Sequence, residues 1–439
     1  MINIRMTAAC HLVSAALAVC AGSAIAQTRS PAPTLRDVLQ AVNNSAEVRL
    51  ARQAQAGAEA DVLTADHAPL PILSSKLSQI DLQNGLGAGD WLGRKRVDKA
   101  VGLDWTYERG DKRMHRTNAA QRTVAATAAE AQEAVLQQML TAQAAYYDWL
   151  AARERVQLAL SMEDAGREAV RAADTRFKAG DLSQQDATRI EIDAARVAAD
   201  KQSAQLDLAR AVIVLSQVLN RADIGAIPAG NVAWPELPSI TASAPTAPSA
   251  TMATRGESAA AAIDARADVR AARERIAAAK ANLDGAYALR KTDPTIGISF
   301  DHYPGTSTRL IELRVQIPLT WGYRYQGEAA RAQSDLKQAE LTEERVLRDA
   351  RTELARLQQE AASLAQRTSS FEQDIVPRAT QVANQAEFAY RRGALSLTDL
   401  LDARRTLRTT QLDVLTARAD LAKARTALLL RTEPQLLVR

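Results

Sequence analysis

Two long stretches of the chain, 111–165 and 328–376, contain neither glycine nor proline. These two residue types most often end or bend a helix, so each stretch predicts one long helix, over about 111–179 and about 328–392. At 1.5 Å per residue, a helix of about 69 residues is roughly 100 Å long. That length exceeds the width of a globular domain, and it suits a wall of packed, coiled-coil helices.

The composition also favours long, closely packed helices over a thick globular core. Hydrophobic residues make up 47% of the chain but aromatic residues only 4%. Much of the apolar share is alanine, which favours helix and buries little area. The formal net charge is only +4 and no dense block of lysine and arginine occurs, so we do not expect a nucleic-acid-binding protein.

The first 26 residues predict a cleavable secretory signal peptide. Arg5 supplies a positive charge, 12–21 is a short apolar run, and 24–26 offers an Ala-x-Ala cleavage site. The apolar run is well short of the roughly 20 residues that a spanning helix needs. We therefore expect an exported protein.

Both cysteines, Cys10 and Cys20, lie inside this segment. Cleavage after Ala26 would leave a mature chain without disulfides or thiolate metal sites. A lipoprotein is an open alternative, because 17–20 loosely resembles a lipobox that ends at Cys20, although Val19 is bulky for its position. No other stretch is long and apolar enough for a transmembrane helix, so any membrane crossing has to use strands.

Similar segments recur in the same order along the chain. The segment 46–52 resembles 267–273, and 176–183 resembles 389–396. In both copies of the second pair an aspartate follows the glycine by six positions. The simplest explanation is two copies of one architecture.

The predicted division of the chain follows from this duplication. A signal peptide, 1–26, precedes a first repeat over 27–220 and a second repeat over 258–439. Each repeat is predicted to run helix, strand, strand, very long helix, glycine turn and final helix. Between them, 221–257 contains five prolines among Ser, Thr and Ala and predicts an irregular linker.

Four segments of alternating hydrophobicity predict strands. They are 71–82, 97–107, 295–302 and 309–319. Lys99 interrupts the apolar side of the second segment, where a long side chain can extend to a rim. A half-buried sheet in a soluble domain shows the same alternation, but export and the long helices favour transmembrane strands of about 9–11 residues. Four strands cannot close a barrel and open edges are not tolerated in lipid, so a membrane-spanning sheet requires oligomerisation.

With these features combined, the chain resembles the TolC-type outer membrane efflux family over 35–432. The most specific segment is 390–403, YRRGALSLTDLLDA, which is similar to the helix–turn–helix at the periplasmic tip of that family. Its counterpart in the first half is 176–186, and 318–322 is similar to the family's strand-to-helix junction. The resemblance implies a mainly α fold with a small β part. Three chains would form a trimeric α-barrel tunnel and a 12-stranded transmembrane β-barrel.

The resemblance also implies a function. The chain would be the outer-membrane subunit of a passive exit duct in a tripartite efflux or type I secretion system. Its partners would be two further copies (a homotrimer), a periplasmic adaptor, an inner-membrane transporter and outer-membrane lipid. No enzyme activity and no cofactor are expected, since the pump supplies the energy. The substrate stays open between drugs, metal ions and secreted proteins.

The implied pore constriction consists of Asp399 and Asp402. Their spacing of three places both on one helix face, and three chains would form two rings of carboxylates that attract cations. Helix capping is the alternative explanation of an aspartate near a helix N-terminus.

The resemblance further implies that Asp186 and Tyr390 tie neighbouring helix tips in a closed state. Arg189 stands where Asp402 stands in the other half, and we expect it to pair with a carboxylate. The family often has an arginine just past the second turn glycine, where this chain has Leu395.

Gly180 and Gly393 are predicted to hold the left-handed or tight conformation of the two tip turns. The remaining histidines of the mature chain are scattered, without the spacing of a metal site. Two other function classes stay open. A periplasmic adaptor also has long helical hairpins, but only one of them beside compact β domains, and an exported structural coiled coil would not need alternating strands.

Overall fold

The computed structural model describes residues 32–80, 82–85, 87–88, 96–221, 233–236 and 260–438. The predicted signal peptide, Cys20 and most of the predicted linker lie outside these residues, so the predicted domain boundaries stay predictions. Within the described residues, helices predominate, and four strands form a small antiparallel sheet. This confirms the prediction of a mainly α chain with a small β part.

The predicted order of elements is present in both halves. The first half contains α1 (Leu35–Ala41), α2 (Ala46–Ala65), β1 (Ile72–Ser78), β2 (Asp98–Thr106), α3 (Lys112–Lys178) and α4 (Gln184–Leu219). The second half contains α5 (Ala267–Ala288), β3 (Thr295–Tyr303), β4 (Ser307–Gln316), α6 (Gln326–Ser370), α7 (Val376–Arg391), α8 (Leu397–Thr432) and α9 (Gln435–Val438).

The helix predicted over about 35–67 is divided into α1 and α2. A 3₁₀ turn, Val42–Asn44, separates them. The Ser45 hydroxyl then accepts the backbone N–H of Val48 at 3.3 Å and begins α2, as serine commonly does at an N-cap. The corresponding helix of the second half is divided in the same place, because 260–264 is helical and Arg266 is the N-cap of α5.

The two long helices differ in one respect. Helix α3 runs without interruption over 67 residues, whereas α6 and α7 are joined by a π-helical segment, Phe371–Ile375. The N–H of Val376 donates to the carbonyl oxygen of Phe371. Pro377, which follows directly, has no N–H to donate and its ring collides with the preceding turn of an α-helix. The wider π turn accommodates it, so the chain continues as a helix past the proline.

No helix among the described residues has both the length and the hydrophobicity that crossing a membrane requires.

An aromatic core holds the middle of the helical body together. Tyr146, Tyr147 and Trp149 of α3 are buried against α1, α4 and α8. The hydroxyl of Tyr147 lies 2.9 Å from the Thr426 hydroxyl on α8, in a buried hydrogen bond. Burial raises the pKa of Tyr146 to about 12, because the apolar core disfavours the charged phenolate. Three of the chain's few aromatic residues thus lie buried where four helices meet.

A network of ion pairs next to this core joins α3 and α8 to two further helices, α5 and α6. The guanidinium of Arg431 on α8 lies 2.8 Å from Glu133 on α3 and 3.1 Å from Glu353 on α6, and its side chain is only 3% exposed. Arg266 pairs with Asp268 and with Glu353 at 2.8 and 2.7 Å. Burial alone would lower the pKa of Arg266, but its bonds to the two carboxylates outweigh burial and raise it. The network therefore stays ionised and links α3, α5, α6 and α8.

The four strands form one sheet in the order β1-β2-β3-β4, and all neighbours are antiparallel. Strands β1 and β4 lie at the two edges, and neither pairs with another strand on its outer side in the part of the chain that the structure describes. The sheet projects from the end of the helical body at which α2, α3, α5 and α6 have one terminus each.

Candidate functional site

One face of the sheet is apolar and exposed. Leu73 of β1 lies opposite Leu103 of β2, which lies opposite Ile298 of β3, which lies opposite Leu313 of β4. The two outer members of this row, Leu73 and Leu313, are each 74% exposed. A row of four apolar side chains therefore crosses the whole sheet without burial in the chain. We call this side of the sheet the outward face.

Neighbouring rows continue the outward face along the strands. Above and below the leucine row lie Val101, Phe300, Ile311, Trp105, Ile296 and Val315, all about half-exposed or more. The helix-proximal end adds the exposed aromatic residues Tyr107, Trp321 and Tyr323. The faces predicted from the alternation are thus present in the structure. Val97 is an exception, because it precedes β2 and is buried.

The opposite side of the sheet is polar, and we call it the polar face. Arg314 of β4 reaches across β3 to Asp104 of β2, with 2.6 Å between guanidinium nitrogen and carboxylate oxygen. Gly297 lies between them in register, and a Cβ there would overlap the Asp104 carboxylate. Ser74 and Ser299 flank Gly102 in the same way. Glycine at the central positions leaves room for these polar contacts.

At the far end of the helical body two hairpins form tips. Helices α3 and α4 turn at Gly180, and α7 and α8 turn at Gly393, with φ of +81° and +73°. The N–H three positions past each helix end donates back to the final helical turn, from Asp181 to Arg176 and from Ala394 to Ala389, both at 2.9 Å. This arrangement closes a helix through a residue in the left-handed region, which glycine adopts without strain.

The predicted tip carboxylates have capping contacts. The Ser396 hydroxyl accepts the N–H of Asp399 at 3.2 Å and donates to its carboxylate at 2.7 Å. Ser183 and Asp186 repeat both contacts at 3.1 and 2.9 Å. The capping alternative therefore describes the contacts of Asp399 within one chain. Asp399 and Asp402 are both exposed on α8, and their role as a pore constriction stays a prediction.

Arg189 and Tyr390 join the two tips of one chain. Arg189 lies 3.7 Å from Asp186 on its own helix and 3.3 Å from the Thr398 hydroxyl on α8. The guanidinium of Arg176 on α3 stacks over the ring of Tyr390 on α7, 5.3 Å from its centre. The expectation that Arg189 pairs with a carboxylate agrees with the geometry. Contact between tips of neighbouring chains is a separate prediction that one chain does not test.

Sequence reasoning missed the partners Thr398 and Arg176. Arg189 and Thr398 are separated by 209 positions, and no spacing pattern connects residues that far apart. The internal repeat assigns Arg189 and Thr398 to the tips of two different hairpins. It does not show that these hairpins lie side by side.

A groove of about 740 Å³ separates the hairpins above the tips. Alanines such as Ala169 and Ala173 line its floor, and arginines from α8 line one wall. Arg408 reaches Asp193 on α4 at 3.9 Å, and Glu387 pairs with Arg391 and Arg404. Burial would raise the pKa of Glu387, but the two arginines lower it overall. The pair of Arg408 and Asp193 thus bridges the two hairpins beside a small apolar cluster of Ala173, Ile190 and Leu397.

No group of three or more His, Cys, Asp or Glu side chains in the described ranges is arranged to hold a metal ion.

Comparison with models of protein families gives no match, and comparison with curated proteins gives none either. Solved structures do match. A membrane protein from Pseudomonas aeruginosa superposes with a TM-score of 0.75 at 15% identity, over 91% of this chain and 93% of that one. The open state of the MtrE outer membrane channel from Neisseria gonorrhoeae gives 0.72 at 17% identity, over 91% and 89%. The outer membrane protein VceC from Vibrio cholerae gives 0.70 at 19% identity, over 92% and 96%. The chain therefore has the fold of the TolC-type outer membrane efflux channels, as its sequence predicted.

Proposed function

We propose that this protein is the outer-membrane channel subunit of a trimeric exit duct. The observation that carries the proposal is the outward face. It is a continuous apolar surface across all four strands, exposed in the single chain, at one end of a long helical body. Large exposed apolar surfaces on a folded chain need another apolar phase or a partner to cover them.

Lipid is the phase that fits this surface. The outward face alternates residue by residue with the polar face, as expected of a transmembrane sheet between lipid and water. Trp105, Tyr107, Trp321 and Tyr323 lie at its helix-proximal end, and aromatic residues concentrate at the interface between a membrane and water. The outward face therefore meets lipid, and the polar face lines a water-filled lumen.

The open edges require partners. Backbone groups at the outer sides of β1 and β4 would lie unsatisfied in lipid. Three chains would supply twelve strands, four from each chain, and so close a barrel. In the same assembly the two hairpins of each chain would form a tunnel that reaches through the periplasm.

The compared structures support this proposal, since MtrE is an outer membrane channel and VceC an outer membrane protein. As the exit duct of a tripartite efflux or type I secretion system, the chain would dock with its tips to a periplasmic adaptor and an inner-membrane pump. Passive conduction requires neither a cofactor nor a catalytic residue. Export to the outer membrane would depend on the signal peptide over 1–26.

A charge on the outward face tests the proposal. Leu313→Arg places a guanidinium in lipid, at a cost of about 2–4 kcal/mol near the midplane. Gln316→Arg adds the same charge to the same strand on the polar face. We expect Leu313→Arg to lower the amount of trimer in outer-membrane fractions sharply, and Gln316→Arg to leave it near wild type.

Two results would contradict the proposal. Equal loss in both variants would reject the assigned faces. A wild-type chain that fractionates as a monodisperse monomer without detergent would reject a membrane channel altogether and favour an adaptor or a structural coiled coil.

A further inference from the structure

A cleft at the junction of β2 and α3 is lined by both aromatic and cationic side chains. It encloses about 1000 Å³. Trp105 and Tyr107 form one side, with their rings edge to face and their centres 6.4 Å apart. Arg109, Lys112 and Lys291 line the cleft beside them. We call it the junction cleft.

The junction cleft lies at a defined depth if the sheet spans a membrane. Trp105 and Tyr107 end the outward face, and α3 begins a few residues later at Lys112. Aromatic side chains at the end of an apolar band lie at the level of lipid headgroups. The cleft is therefore placed where apolar acyl chains, charged headgroups and water meet on the periplasmic side.

The charges of the cleft divide into paired and unpaired groups. Arg113 pairs with Asp66, and Lys112 pairs with Asp293, at 2.9 and 2.7 Å. Arg109 and Lys291 are exposed, and neither forms an ion pair with any residue that the structure describes. Of the acidic residues that line the cleft, Glu108 pairs with Arg116 at 2.8 Å, whereas Asp111 is exposed and forms no ion pair with the residues that the structure describes. Two cationic groups are thus left available at the cleft, beside one carboxylate.

The start of α3 is also unusual for a helix. Its first turn carries Lys112 and Arg113 and no acidic residue, and no side chain caps it. Cations are unfavourable near a helix N-terminus, which carries a partial positive charge. Lys112 and Arg113 are held there by their carboxylate partners, Asp293 and Asp66. The positive potential of the helix start adds to that of Arg109 and Lys291.

We propose that the junction cleft binds the phosphate headgroup of a glycerophospholipid from the periplasmic leaflet. This inference rests on the proposed membrane-spanning function. Arg109 and Lys291 contact the phosphate, and the rings of Trp105 and Tyr107 pack against the glycerol and the first methylenes of the acyl chains. A single lipid thereby contacts both the sheet and the base of α3.

Native mass spectrometry of the detergent-purified assembly tests the proposal. The probe is phosphatidylglycerol, and diacylglycerol with the same chains is the control without a phosphate. The test variant is Arg109→Gln with Lys291→Gln. The matched control is Lys76→Gln with Arg309→Gln, which removes two cations from the strands of the same sheet. We expect the wild type and the control variant to retain phosphatidylglycerol but not diacylglycerol, and the test variant to bind it about tenfold more weakly.

Equal retention by the test and control variants would overturn the proposal. Complete displacement of the lipid by millimolar inorganic phosphate would also overturn it, because the cleft would then be a site for free phosphate. The same spectra report the mass of the assembly. A monomeric wild type would refute the proposed function itself, whereas a trimer without bound phosphatidylglycerol refutes the lipid site alone.

Discussion

The guanidinium of Arg314 on β4 meets the carboxylate of Asp104 on β2 across Gly297, which occupies the strand between them. The two charged residues are not on adjacent strands, so their contact depends on the absence of a side chain at position 297. Because position 297 is glycine, one ion pair on the polar face can span three of the four strands, β2, β3 and β4.

Gly297→Ala should destabilise the sheet by about 1–3 kcal/mol, because the added methyl overlaps the Asp104 carboxylate and forces it aside. The measurement is the temperature at which the purified assembly dissociates. Adding Asp104→Ala removes the overlapping atoms, so the double variant should lose less stability than the sum of the two single variants. Additive losses would show that the overlap is not the cause.

Arg431→Met should lower the stability of the folded chain strongly, although the two side chains are similar in length. It leaves the Glu133 carboxylate without its buried partner and removes one of the two partners of Glu353. Breaking a buried pair in this way costs about 3–5 kcal/mol. Arg418→Met removes an exposed pair with Glu372 and should cost at most about 1 kcal/mol. Similar shifts of the two variants in denaturant-induced unfolding would contradict the assigned role of the network.

Glu163 should contribute a pH-dependent part of the stability. Its hydrogen bonds to Lys201 on α4, at 2.8 and 2.9 Å, and its contact with Arg167 lower the pKa of the Glu163 carboxyl. Because the pKa is lower in the folded chain than in the unfolded chain, the unfolded chain takes up the proton first as the pH falls. The stabilisation is therefore complete above the ordinary value of 4.5 and is lost as the pH falls through the lower folded value.

Glu163→Gln should accordingly be less stable than the wild type at neutral pH, and the difference should shrink as the pH falls below about 4.5. Thermal unfolding followed by circular dichroism across this range provides the measurement. Glu168→Gln, which removes an exposed carboxylate from the same helix, is the control. A difference that stays constant with pH would mean that the carboxyl of Glu163 does not titrate differently on folding.

Replacing both Asp399 and Asp402 with alanine should abolish cation preference in planar bilayers if these carboxylates form rings at a constriction. Ser396→Ala separates this role from capping, because it removes the hydroxyl contact with Asp399 but keeps both carboxylates. It should cost about 1 kcal/mol of helix stability and leave the reversal potential unchanged. An unaltered reversal potential in the double aspartate variant would mean that neither residue lines a constriction, and that Asp399 acts as a helix cap and Asp402 as a surface charge.

Periodicity in the sequence was sufficient to predict most of the helices and strands and the two faces of the sheet. Alternation over 309–319 placed Ile311, Leu313 and Val315 on one face, and the absence of glycine and proline in 111–165 predicted α3. These signals are local, because each depends on neighbours a few positions apart. The π segment before Pro377 was not predicted, since a proline past the first turns of a helix pattern normally ends the helix and the sequence does not indicate how the backbone compensates.

The site was predictable only in part. The turn glycines and the capping aspartates carry local signals, such as the serine three positions before Asp186 and Asp399. The pairing of Arg189 with Thr398 and the crossing of Arg314 to Asp104 depend on how distant segments pack. The junction cleft likewise combines β2, the start of α3 and Lys291, which follows α5, so no single stretch of sequence contains it.

The two open edges of the sheet have a consequence for biogenesis. A chain that entered the outer membrane alone would expose the unpaired backbone groups of β1 and β4 to hydrocarbon, where nothing can satisfy them. If three chains form the proposed duct, a newly exported chain has to wait in the aqueous periplasm until two others are available. Insertion would then be a collective event whose rate rises more steeply than linearly with the number of chains, and a cell that makes few chains would accumulate unassembled subunits before it forms a single pore.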